Sequence, residues 1–161
     1  MAAACGLVML AATATTAWAS EPRYRLREVT GAHVGRTAAT SRVPLKLTYA
    51  ELSAQDRERL RADYEDMPAA DEPPYPKDGV IALVKGYTQV QRAASLSGRF
   101  RAAVHIDESG IAQSIAIYET PDPRLSTALA AAAMAPPYKP GRCAGRPCAM
   151  DFPVDVIFAG R

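Results

Sequence analysis

The stretch "MDFPVDVIF", residues 150–158, decides the fold. Met150, Phe152, Val154, Val156 and Phe158 are large and apolar, and every residue between them points the other way in an extended chain. The segment therefore reads as a strand with one buried face. Five such side chains, at about 1.5–3 kcal/mol each when fully buried, make it a principal contributor to a core. Pro153 has no N–H to donate, so it belongs where that loss is harmless, facing the open side of an edge strand. The backbone N–H and C=O of one residue leave a strand on the same side. Asp151, Asp155 and Ile157 share the parity of Pro153 and present their backbone groups outward with it. Two readings of that edge stand. Pro153 and the two aspartates protect it from aggregation, or it is a docking edge whose partner meets one missing donor and two carboxylates.

Directly upstream, "YKPGRCAGRPC" places Cys143 and Cys148 around a Gly- and Pro-containing loop. The remaining cysteine, Cys5, lies in an apolar leader. An even pair behind an export signal is most simply a disulfide. Two thiolates cannot complete a zinc site, the chain's histidines are His33 and His105, and the spacing is not that of a C-x-x-C redox motif. Closing so short a loop contributes about 2 kcal/mol. Its expected role is to fix the register of the following strand, because a slip of one residue would turn Met150 through Phe158 outward.

Working back, "RFRAAVHI" alternates Phe100, Ala102, Val104 and Ile106 against Arg99, Arg101, Ala103 and a solvated His105. "DESG" supplies a turn ending in Gly110, with Asp107 and Glu108 as turn formers. The return strand is expected to face Ile115 and Ile117 to the core. A helix follows, capped by Asp122 with Pro123 after it, anchored by Leu125 and Leu129, its alanines allowing close approach to the sheet. The reading is an α+β fold: a small three-stranded antiparallel sheet of order 2-1-3, with helices packed on one face.

The N-terminal half is plainer. Residues 1–19 carry no Asp, Glu, Lys or Arg and end in Ala17-Trp18-Ala19, which reads as a cleaved signal peptide and a periplasmic location; an uncleaved inner-membrane anchor is the alternative. Residues 20–52 read as an arm with short strands, in which Tyr24 and Leu26 alternate. Residues 53–72 read as a helix capped by Ser53 with Asp56 at the third position, running into a Pro-rich connector. In that helix Leu60, Tyr64 and Met67 form one apolar stripe. The span "PAADEPPYPKDG" holds four prolines in 12 residues and reads as a stiff linker. A second helix spans "GVIALVKGYTQVQRAASLSG", ended by Gly98, with Leu83, Tyr87, Val90 and Ala94 on one face, Val80 and Val84 flanking it, and Gly86 weakening it by about 1 kcal/mol.

Residues 73–161 resemble the C-terminal domain of the TonB family. The marks are Tyr75-Pro76 before a helix, Gly98 before the first strand, Gly110 in the hairpin turn, Tyr138-Lys139-Pro140 after the last helix, and the closing Val154-x-Val156-x-Phe158. The resemblance implies a partner that adds a strand to the outer edge of the final strand, and an envelope protein or a TonB-dependent outer-membrane receptor as that partner. The family's serine- and histidine-bearing membrane anchor and its long Pro-Lys spacer have no counterpart here. A homodimer is left open, as is a secreted structural or inhibitory domain.

The chain has 161 residues, enough for one domain with a real core. Its 19 basic and 17 acidic residues are intermixed and sum to +2, which gives no footprint for nucleic acid. No G-x-S-x-G, phosphate loop or His/Cys cluster occurs, so neither catalysis, cofactor nor metal is expected.

Overall fold

The computed structural model describes residues 24–27 and 43–159. The expected signal peptide and most of the arm lie outside them. In chain order the elements are α1 (Ala54–Arg61), β1 (Tyr75–Pro76), α2 (Ile81–Ala94), β2 (Gly98–Ile106), β3 (Ala112–Glu119), α3 (Ser126–Met134), β4 (Tyr138–Lys139), β5 (Gly141–Cys143), β6 (Arg146–Cys148) and β7 (Met150–Phe158). Short 3-10 turns precede α1 and α3.

β2, β3 and β7 form an antiparallel sheet in the order β3-β2-β7, so the chain is α+β with its first long strand at the centre. β2 and β7 pair without a break from Gly98–Phe158 to Ile106–Met150. That register puts Phe100, Ala102, Val104 and Ile106 on the same face as Phe158 through Met150, as the two alternations require. The face is covered by Leu83 and Tyr87 of α2 and Leu129 and Ala133 of α3, all buried in one cluster. Tyr87 packs against Phe100 and Phe158 with ring centroids 6.0 and 6.1 Å apart, a spacing at which tilted aromatic pairs attract. Gly86 has a packing role: a Cβ there would lie 3.1 Å from Ala132 Cβ. Thus the small residues of α3 also let it sit close to α2, which the sequence reading did not foresee.

β5 and β6 form a hairpin closed by the Cys143–Cys148 disulfide, whose Cα atoms are 5.9 Å apart. Its turn places Ala144 and Gly145 at φ of 48° and 78°. Asp71 accepts a 2.8 Å hydrogen bond from the Ala144 N–H, and Arg142 and Glu72 exchange backbone bonds of 2.8 and 3.0 Å.

α1 keeps its Ser53 cap, with the Asp56 N–H donating to Ser53 Oγ at 3.1 Å, but it ends at Arg61. Tyr64 is therefore not part of a helical stripe. It bridges to Leu26, with Arg27 N–H donating to Asp63 O and Glu65 N–H to Arg25 O, and its ring buries against Met150 and Cys143. The Pro-rich stretch is not a free linker: Pro73, Pro74 and Pro76 are fully buried, because β1 pairs with β4 and locks the segment into the core. Ile117 does not reach the core and is 38% exposed. β3 is an edge strand, and register shifts at both its ends leave much of it beyond the helical cover. Asp122 caps the 3-10 turn Pro123–Leu125 and not the helix itself, and Leu125 is half-buried there. Ala94 is exposed at the end of α2.

Candidate functional site

The outer edge of β7 is built from its own parity. The Tyr64 hydroxyl donates to the Asp151 carbonyl at 2.8 Å, from the side away from β2. Backbone direction alternates along a strand, so Pro153, Asp155 and Ile157 also turn their backbone groups outward. No strand among the described residues pairs with that side. Pro153 thus sits where its missing N–H costs the sheet nothing.

Burial pushes the Tyr64 hydroxyl's pKa well above its ordinary value. That hydroxyl closes the edge at Asp151 and leaves Pro153 to Ile157 open. Asp151, expected in the open edge, already has a partner for its carbonyl.

The carboxylates also behave differently from the expectation. Asp151 lies opposite His105 in the register, and the His105 Nδ1 to Asp151 Oδ1 distance is 2.9 Å. His105 is consequently not solvated; its side chain is only 14% exposed. Asp155 receives both arms of Arg99, with Nε at 2.8 Å from Oδ1. Both aspartates lie on the face of the sheet opposite the helices and are engaged by basic groups of β2. A partner arriving at the edge does not meet two free carboxylates.

Beside the open edge runs a groove of about 130 Å³. β7 forms one wall through Val154 and Val156. Leu60 of α1, Leu83 and Val84 of α2 and Val80 just before it form the others, with Pro73 and Pro74 at one end. Val156 is only half-buried for this reason. The lining is mainly apolar, with the carboxylates of Asp63 and Asp155 at its margin, and an added strand would direct alternate side chains toward it. In the sequence Leu60 belongs to a helical stripe, Val80 and Val84 flank the apolar face of the second helix, and Pro73-Pro74 read as linker. Only their convergence on β7 marks them.

Of the quoted motif residues, Tyr75, Pro76, Gly110, Tyr138, Lys139 and Pro140 come together elsewhere. β1 and β4 pair Tyr75 with Lys139 and Pro76 with Tyr138. Gly110, at φ 85°, lies beneath the Tyr138 carbonyl, and the Tyr138 N–H donates to Gly110 O at 3.3 Å. The Tyr138 hydroxyl donates to Ala133 O at 2.6 Å, which satisfies a carbonyl at the end of α3. Lys139 Nζ bonds the carbonyls of Pro73 and Pro140 at 3.2 Å each. Gly98, at φ 119°, is at the other end of β2, against Pro121. Tyr75, Pro76, Gly110, Tyr138 and Pro140 form a structural knot that ties β1, β4 and the hairpin turn together.

Asp107 accepts from the N–H groups of Ser109 and Ile111 at 2.8 and 2.9 Å and from Gln113. These bonds, led by that from Ile111, hold its carboxyl below the usual range, as suits a turn former. Among the described residues no group of three His, Cys, Asp or Glu is placed to hold a metal, and no helix is long and apolar enough to cross a membrane. No family model, curated protein or solved structure matches this chain.

Proposed function

We propose that the chain is a TonB C-terminal-like interaction module of the bacterial envelope that takes an extended segment of a partner protein onto the outer edge of β7. The observation that carries this reading is the coincidence of outward-facing backbone at Pro153–Ile157 with an apolar groove on the same flank. Unpaired backbone groups provide affinity for any extended peptide, and the groove selects an apolar side chain at alternate positions. Pro153 leaves one peptide carbonyl without a donor, so the anchoring hydrogen bonds come from Asp155 and Ile157. The disulfide and the resemblance at 73–161 support an envelope setting, and a receptor's periplasmic segment is the partner that the resemblance implies.

The test is a titration of isotopically labelled chain with synthetic peptides covering the periplasmic N-terminal segments of the host's TonB-dependent receptors. Amide shifts are expected along 153–157 and around Val80–Val84. The variant Ile157→Pro removes one outward donor while leaving the bonds to β2 intact, and should weaken binding tenfold or more with little change in Tm. Shifts confined to other surfaces, or undiminished binding by Ile157→Pro, would overturn the proposal.

A further inference from the structure

The opposite edge of the sheet carries a second surface. Among the described residues four large apolar side chains are exposed, and three belong to β3 and the turn entering it: Ile111 at 57%, Ile117 at 38% and Tyr118 at 64%. β3 contains no Lys, Arg or Pro, the devices that usually keep an edge from pairing. Its only charge is Glu119, the last residue. β7, by contrast, carries Pro153.

The register fixes which way the β3 backbone faces. Pro153 turns outward, and Ala103 lies opposite it. Ala103 therefore directs its N–H and C=O to β3, where it faces Ala116. Ala116 in turn points back at β2. Ile115 and Ile117, on either side of it, present their N–H and C=O to the open edge. Their side chains share the helix face with Val104 and Ala102, their partners on β2. The run Ser114–Ile117 pairs regularly with β2, and the register shifts lie outside it.

We infer that β3 pairs antiparallel with β3 of a second copy about a two-fold axis at Ala116, joining the two three-stranded sheets into one of six strands. In that register Ile115 of each copy faces Ile117 of the other as a hydrogen-bonded pair, so the outward groups of both residues are satisfied. The two Ala116 residues meet as a non-hydrogen-bonded pair. Such pairs bring the Cα atoms to about 4.5 Å, a distance that suits alanine. Exposed Ile117 is covered by Ile115 of the other chain. No like charges confront each other, because Glu119 falls outside the central run. This self-complementarity, the same patch on both partners, favours a second copy over a foreign strand as the occupant.

The experiment uses the full chain with Cys5→Ser, so that Cys143 and Cys148 are its only other cysteines. Light scattering on the eluting protein should give twice the chain mass at high concentration. Ile117→Lys should shift this to a single-chain mass while leaving Tm nearly unchanged, since the side chain is exposed in the monomer. Ala116→Cys should form a covalent dimer under mild oxidation, because a Cα separation near 4.5 Å lies within disulfide range. Ser114→Cys should not, because each Ser114 lies opposite position 118 of the other copy. A single-chain mass at every concentration overturns the inference, whether or not β3 captures some other polypeptide. So does a dimer that survives Ile117→Lys and is not linked through Ala116→Cys.

Discussion

At Gly110 two separate physical effects act on one missing atom. Its φ of 85° is a conformation that side chains rarely adopt, and a Cβ built there would lie 2.2 Å from the Tyr138 carbonyl oxygen. Gly145 has nearly the same backbone strain, at φ 78°, with nothing within 4 Å of that position. The pair therefore separates strain from collision. Gly145→Ala should lose about 1 kcal/mol, the strain alone. Gly110→Ala should lose about 3 kcal/mol or more, because the turn must move off β4 and take the Tyr138 N–H bond with it. Urea midpoints of the two variants check this. Equal losses would show that the turn relaxes freely and that Gly110 does not tie the hairpin to β4.

The β5–β6 hairpin was expected to set the register of β7 through its disulfide alone. The structure adds two further anchors, the Asp71 bond to Ala144 and the backbone exchange between Glu72 and Arg142. With those in place, the double variant Cys143→Ser, Cys148→Ser should lose about 2 kcal/mol by the entropy of the short loop and keep β7 in register. Hydrogen exchange should then show protection of residues 150–158 falling only as far as global stability falls. A selective loss in that strand would restore the disulfide as the register device. The same contrast shows what the sequence could reveal. β2, β7 and α2 were legible because their periodicity is written in their own residues. Tyr64 was misplaced because its i, i+4 spacing from Leu60 is helical, while the bonds that end α1 come from residues 24–27, remote in sequence. Pro73 and Pro74 looked like linker by composition, and their burial depends on β4. Asp151 and Asp155 could not be assigned to His105 and Arg99 without the β2–β7 register. The edge was therefore legible as an edge, whereas the groove beside it, assembled from three distant segments, was not.

Over the molecule as a whole, the core is unusually dependent on tyrosine. Tyr49, Tyr75, Tyr87 and Tyr138 lie in the main cluster and Tyr64 in the smaller one, all buried. Burial is the leading cause that raises each hydroxyl's pKa: Tyr75 to about 12, Tyr87 and Tyr138 further, Tyr64 well above its ordinary value and Tyr49 above it. An unfolded tyrosine ionises near pH 10. A folded-state pKa above that value means that the stabilisation is fully present below about pH 10. It is lost as pH rises, for Tyr75 across the interval from about 10 to about 12. Lys139 acts in the opposite sense, since burial lowers its pKa and deprotonation relieves a penalty on the folded state. One lysine offsets only a fraction of five tyrosines. Each deeply buried tyrosine steepens the decline by up to about 1.4 kcal/mol per pH unit. The two clusters share β7, with Met150 in one and Phe152 in the other, so they should fail together in one transition. The expected result is a denaturant midpoint that falls steeply above pH 10, coincident by tyrosinate absorbance and far-UV circular dichroism. A midpoint unchanged up to pH 12, or tyrosinate absorbance beyond that of exposed Tyr118 and half-buried Tyr24 growing in while the fold persists, would show that the core hydroxyls reach solvent and that the core is not sealed around them.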